Sequence, residues 1–276
     1  MSAMSKSVTV LSTSSVVPDK ESTIEDLKLS VFDLPMLSKG CLFARPPIPI
    51  HNLITHLKRG LSHFLALAGR LIIDSNGYVY IACNDSGAGF IHANANCITI
   101  REVLSPYSDV TNCYKKFFAM DRTISYDGHF KLILTVQVTE PLDGLFIGCA
   151  VNHAVVYGTS LWNFLNTFTE VCRGADRIMK LSDFSRRSPL ISPVVLRVPP
   201  GDPMVTFSGD ASLRERIFSF MQGIDFEIEE QNKPQRRSRR PPAMATIGYG
   251  DWNVEVDDEY MDNWILVQCF HKNRNH

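Results

Sequence analysis

The stretch Leu145-Phe146-Ile147-Gly148-Cys149-Ala150-Val151-Asn152-His153-Ala154-Val155-Val156-Tyr157-Gly158-Thr159-Ser160 decides the fold. Its first seven residues form a continuous apolar run, too short for a typical helix and bounded by turn residues. This is the pattern of a strand covered on both faces. Beyond Gly158, the residues Leu161, Phe164, Leu165, Phe168, Val171 and Cys172 recur at helical spacing, and Gly174 follows as a stop. Thr159 or Ser160 is the expected N-cap of that helix. His153 therefore sits in the turn between a buried strand and a helix.

Working upstream, Pro141-Leu142-Asp143-Gly144 supplies a turn, and Lys131 to Thr139 alternates. Leu132, Leu134, Val136 and Val138 face one way and Thr135 and Gln137 the other, which predicts a half-buried strand. Further back, Asp74-Ser75-Asn76-Gly77 between Ile72-Ile73 and Tyr78-Val79-Tyr80-Ile81-Ala82-Cys83 predicts a hairpin. The residues Leu53, Ile54, Leu57, Leu61, Phe64 and Leu65 predict one helix over 52–67, stopped by Gly69. Val8-Thr9-Val10-Leu11 opens the chain as a strand ended at Val16-Val17-Pro18. The glycines of Asn84-Asp85-Ser86-Gly87-Ala88-Gly89 serve a turn, since no phosphate-cradling glycine loop follows them.

The chain has 276 residues, 45% of them hydrophobic, and a formal net charge of -1, enough for one large or two modest domains. That balance gives no electrostatic footprint for nucleic acid. Apolar runs fall short of the ~18–20 residues that cross a bilayer. The opening segment has no arginine before Arg45 and carries Asp19, Glu21, Glu25 and Asp26, unlike an organelle transit peptide. The expected location is cytoplasmic, with no membrane or nucleic-acid partner. Cys41, Cys83, Cys97, Cys113, Cys149, Cys172 and Cys269 show no zinc-ligand spacing and read as reduced thiols, so no metal is expected. Cys149, four residues before His153, reads as a small core residue.

Several of these segments resemble one family in the order in which they occur. They are Leu27 to Leu37, Leu42 to Pro47, Leu65-Ala66-Leu67-Ala68-Gly69-Arg70-Leu71, Asn84 to Ala93, and the histidine stretch, where His153 and Gly158 match a His-x-x-x-Asp-Gly signature. The chain is similar to the N-terminal half of the BAHD acyl-CoA-dependent acyltransferases of plants. Tyr157 stands where the signature has its aspartate. The likeness covers roughly residues 7–220, including Gly201 to Phe220, within a domain set at 1–220; residues 221–276, with Arg236-Arg237-Ser238-Arg239-Arg240 and an acidic end, read as a flexible tail outside the family.

The resemblance implies an α/β fold like chloramphenicol acetyltransferase: a half-fold with a mixed sheet and flanking helices, lacking most of the second domain. It implies His153 as the catalytic general base, with Tyr157 and Gly158 as the altered motif positions. Acyl-CoA would be a co-substrate, with no permanently bound cofactor. The acceptor would be a hydroxyl or amine of a small specialised metabolite. In the family the motif aspartate pairs with a later arginine and shapes the site, an ion pair a neutral phenol cannot make. Members of the family are usually monomers, whereas an isolated half would be open to self-association. Two functional readings follow: an acyltransferase using His153, and a catalytically silent truncated remnant that at most binds a ligand or partner.

Overall fold

The computed structural model describes residues 7–29, 37–44, 49–103, 112–120, 129–152, 154–156, 158–175, 177–178, 197 and 264–270. The apolar run of the opening stretch is strand β8, Leu145–Asn152, with every residue buried. Its hairpin neighbour is β7, Leu134–Pro141, which pairs antiparallel from Leu134↔Val151 to Thr139↔Phe146. On the other side of β7 lies β6, Ala88–Ala95, paired in parallel. The chain's first strand, β1 (Thr9–Val16), closes that edge antiparallel to β6. β3 (Leu37–Ala44) pairs antiparallel with the far side of β8, and β9 (Trp264–Phe270) pairs with β3. The result is a six-stranded mixed sheet in the order β1-β6-β7-β8-β3-β9. A three-stranded antiparallel sheet, β2-β5-β4, is built from Leu27–Lys28, Val79–Ala82 and Arg70–Ile73. Short helices α2 (Ile100–Val103) and α3 (Asn112–Lys115) lie in the crossover between β6 and β7. The expected mixed α/β sheet with flanking helices is the observed architecture.

The two faces of the large sheet follow from strand alternation. Leu134, Val136 and Val138 of β7 and Leu145, Ile147, Cys149 and Val151 of β8 point into one core. That core is filled by Leu53, Leu57 and Leu61 of α1 (Ile50–Leu61) and by Leu161, Phe164, Leu165 and Phe168 of α4 (Gly158–Cys172). Just past the end of α1, the Phe64 ring meets Phe164 of α4 edge-on, with centroids 5.5 Å apart. On the opposite face, Phe146 sits in a second cluster with Tyr114, Phe117, Phe118, Ala95, Ile98 and Ile100. Gly148 lies on that same face. A Cβ there would come within 2.5 Å of the Phe117 carbonyl oxygen, so the close approach of this segment requires glycine.

The second cluster corrects the expectation that β7 is half-buried. Thr135, Gln137 and Thr139 are buried like their apolar neighbours, because the segment ending at Met120 covers them. Each hydroxyl or amide that would otherwise face water finds a partner. The Gln137 Nε2 donates to the Lys116 carbonyl at 2.7 Å and to Thr139 Oγ1 at 3.1 Å. Thr135 Oγ1 lies 3.1 Å from Met120 Sδ. Alternating polarity marked two different faces correctly, but the polar one is also covered.

The helix expected over 52–67 is likewise corrected. α1 stops at Leu61, and a separate 3-10 turn, Leu65–Ala68, follows. Phe64 leaves helical geometry at φ -135 and ψ 55, which swings its ring onto Phe164. Gly69 does not end a helix in a left-handed conformation; it is extended. Glycine is needed there because a Cβ would lie 2.3 Å from the Ala82 carbonyl oxygen. Arg70 then locks the adjacent loop, donating to the carbonyls of Gly69 (2.7 Å), Gly87 (2.8 Å) and Ser86 (3.1 Å). The hairpin at Asp74 to Gly77 forms as expected, with Asp74 Oδ1 accepting from the Asn76 and Tyr78 amides.

Beyond residue 178 the described residues are Arg197 and the β9 strand. The expected boundary at 220, the segment Gly201 to Phe220 and the arginine cluster all lie outside the described residues. Within the segment expected to be a flexible tail, Trp264–Phe270 pairs with β3.

Candidate active site

The candidate site is the turn between β8 and α4. The ladder between β7 and β8 ends at Leu134↔Val151, and the Asn152 amide extends it by donating to the Ile133 carbonyl at 2.8 Å. The backbone must then reverse from strand to helix within five residues. Asn152, only 1% exposed, organises that reversal. Its side-chain Oδ1 accepts the Ala154 amide at 3.0 Å, and its backbone carbonyl accepts the Val155 amide at 3.1 Å. This is an Asx turn, in which a short side chain imitates a backbone acceptor. Ala154 and Val156 pack into the main core on the far side of the turn.

His153 and Tyr157 lie outside the described residues; the residues on either side of each are described. Gly158 is the first residue of α4, so Thr159 and Ser160 fall inside the first turn and neither is the N-cap expected for them. What the structure brings together is the frame: the end of β8, the Asx turn and the start of α4. Residue-type reasoning passed over Asn152 as a participant. The available signal was an asparagine immediately before a strand-to-helix turn, a residue type that bonds to the backbone two positions on.

The environment of the frame is apolar. Cys149 is completely buried on β8, and burial pushes its thiol up to about 12, so the thiolate is not populated near neutral pH. Its assignment as a core residue stands. Cys172, at the end of α4, is likewise pushed up to about 12 by burial, with Arg173 opposing. Among the described residues no group of three His, Cys, Asp or Glu side chains could hold a metal ion, and no helix is long and apolar enough to cross a membrane.

A second histidine supports the same end of the sheet. His129, just ahead of β7, has Nδ1 3.0 Å from the Leu71 carbonyl on β4. A carbonyl only accepts, so Nδ1 carries the hydrogen. Burial lowers the pKa of His129 and the bond to Leu71 partly offsets this. Burial also lowers His56, with help from Arg59, and His63, with help from Lys20 and Arg59 against Glu170. All three therefore favour the neutral form in the folded state. As pH falls through the unfolded value near 6.5, the unfolded chain binds protons first, and stability present above that pH is lost toward the lower folded values. The melting temperature should fall by a few degrees between pH 7.5 and 5.5, measured calorimetrically, and His129→Gln should flatten part of that fall. A melting temperature rising over this interval would contradict the assignment.

The Transferase family matches residues 6–226 of this chain. The BAHD acyltransferase DCR of Arabidopsis thaliana is 30% identical over 223 residues, which cover 70% of this chain and 46% of that protein. The chain belongs to the BAHD acyltransferase family. An uncharacterised acetyltransferase of Arabidopsis thaliana is 35% identical over 185 residues, covering 62% of this chain and 42% of its own length. Among solved structures, vinorine synthase superposes with a TM-score of 0.54 at 23% identity, over 65% of this chain and 46% of that one. That likeness shows the fold. The chain spans less than half the length of these two Arabidopsis relatives.

Proposed function

We propose that this chain carries the general-base side of an acyl-CoA-dependent acyltransferase site, with His153 as the base. The observation that supports this most directly is the frame around position 153: a buried strand, an Asx turn and a helix start, in a chain of the BAHD family. A neutral imidazole there takes the proton from an acceptor hydroxyl or amine as the oxygen or nitrogen attacks the thioester carbonyl. The tetrahedral intermediate then collapses, the C–S bond breaks, and the CoA thiolate leaves and takes up the proton. The acceptor class is a small hydroxyl- or amine-bearing metabolite. Acetyl, malonyl, benzoyl and hydroxycinnamoyl groups are the donors to be compared.

The test is release of free CoA thiol, followed with a chromogenic disulfide over that donor panel with alcohol, phenol and amine acceptors. Acceptor-dependent release above thioester hydrolysis supports transfer. Its absence across the panel favours the second reading, a binding protein without turnover, for which Tyr157 in place of the motif aspartate is the supporting observation. Tyr157→Asp is expected to leave turnover at the parent level, because a new carboxylate without a paired cation costs desolvation and restores nothing. A clear rise would mean that Arg214, Arg216 or one of the arginines from 236 to 240 supplies the pairing charge.

A further inference from the structure

We infer that Asn152 is a positioning residue for the catalytic turn, and that its neutral side-chain carbonyl sets the backbone geometry in which residue 153 is presented. The inference rests on reading His153 as the base. Three hydrogen bonds carry it. The Asn152 amide donates to the Ile133 carbonyl at 2.8 Å, anchoring the residue to the end of β7. Its Oδ1 accepts from Ala154 at 3.0 Å and its carbonyl accepts from Val155 at 3.1 Å. One buried residue thus grips the chain before position 153 and twice just after it.

The residue type follows from the surroundings. With 1% of its surface exposed, the side chain sits where an ionised carboxylate would be costly and an apolar one would leave the Ala154 amide without its acceptor. Serine is shorter and makes the equivalent turn more weakly. Asparagine meets both demands. The adjoining strand is rigid, with every residue of β8 buried and its partners on both sides paired. The turn therefore has a fixed base, and the Asn152 side chain is the element that transmits it across position 153. A catalytic group displaced by about 1 Å can lose about a hundredfold in rate, so a small relaxation of this turn would be felt in kcat.

The experiment compares Asn152→Ala, Asn152→Asp and the parent by amide exchange and by steady-state kinetics on the full chain. Exchange at Ala154 and Val155 is read relative to Cys149 and Val151 in the same strand, which separates local opening of the turn from global loss of stability. For Asn152→Ala, relative exchange at Ala154 should quicken roughly two- to tenfold, the worth of one net hydrogen bond. Its kcat should fall roughly ten- to a hundredfold with KM for acyl-CoA little changed. Asn152→Asp keeps an acceptor at the same position: its buried carboxylate should lower global stability, while exchange at Ala154 relative to Cys149 and Val151 stays slow and part of kcat is recovered. Unchanged relative exchange in Asn152→Ala would overturn the inference, as would a loss expressed in KM alone. Failure of Asn152→Asp to slow Ala154 below the alanine variant would also overturn it. If the parent shows no transfer at all, the proposed function fails, while the exchange comparison still decides whether Asn152 holds the turn.

Discussion

His153→Ala is expected to abolish acyl transfer, lowering kcat by ~10²–10⁴, the usual contribution of a positioned general base. The melting temperature should stay near that of the parent, because the substitution leaves the bonds among Asn152, Ala154 and Val155 and the start of α4 in place. The distinguishing measurement is CoA release at saturating donor and acceptor, with circular dichroism on the same samples. A variant that keeps its turnover would remove His153 from the mechanism. The neighbouring thiol offers no substitute, since Cys149 is completely buried and its pKa is pushed up to about 12.

The largest effect on stability is expected from Phe146→Ala, a loss of about 3–5 kcal/mol. Phe146 has no exposed surface and stands on the face of β8 opposite α1 and α4. Its ring lies 4.9 Å from that of Phe117, 5.3 Å from Phe118 and 6.1 Å from Tyr114, each in an edge-on arrangement. Removing it leaves a cavity under the segment that also supplies the Lys116 carbonyl to Gln137. With domain stabilities typically about 5–15 kcal/mol, such a loss consumes a large share of the total. Chemical denaturation should show the midpoint dropping sharply, whereas Ile147→Val on the helix-facing side should cost only about 0.5–1.5 kcal/mol. A loss below about 1 kcal/mol for Phe146→Ala would mean the aromatic cluster can close over the gap.

Local signals read well from the sequence where one physical demand dominates. The uninterrupted run from Leu145 to Val151 could only be a strand covered on both sides, and the apolar stripe from Leu161 to Cys172 only a helix face. The hairpin at Asn76-Gly77 follows from turn chemistry alone. The misses share a cause, which is that a distant partner settles them. The helix break after Leu61 serves a contact between Phe64 and Phe164, a hundred positions away in the chain. The burial of Thr135, Gln137 and Thr139 depends on a crossover segment whose coverage no periodicity announces. Gly69 looked like a helix stop and is instead the point where two backbones nearly touch. In the candidate site, His153 is expected by resemblance and lies outside the described residues, while the Asx turn at Asn152 emerges only once its bonds to Ile133, Ala154 and Val155 are seen together.

The order of strands in the large sheet has a bearing on how the chain acquires its structure during synthesis. β7 and β8 are consecutive in sequence, from Leu134 to Asn152, and pair with each other across a short turn, so they can assemble as a local hairpin. β1 must wait for β6, and β3 must wait for β8, whose residues Leu145–Asn152 leave the ribosome about a hundred residues after Leu37–Ala44. Loop closure over such separations is slow compared with hairpin formation. The nascent chain therefore carries the unpaired β3 segment while about a hundred further residues are made. Chaperone binding to ribosome-bound intermediates should peak before residue 152 emerges and decline once the β7–β8 hairpin can seed the sheet.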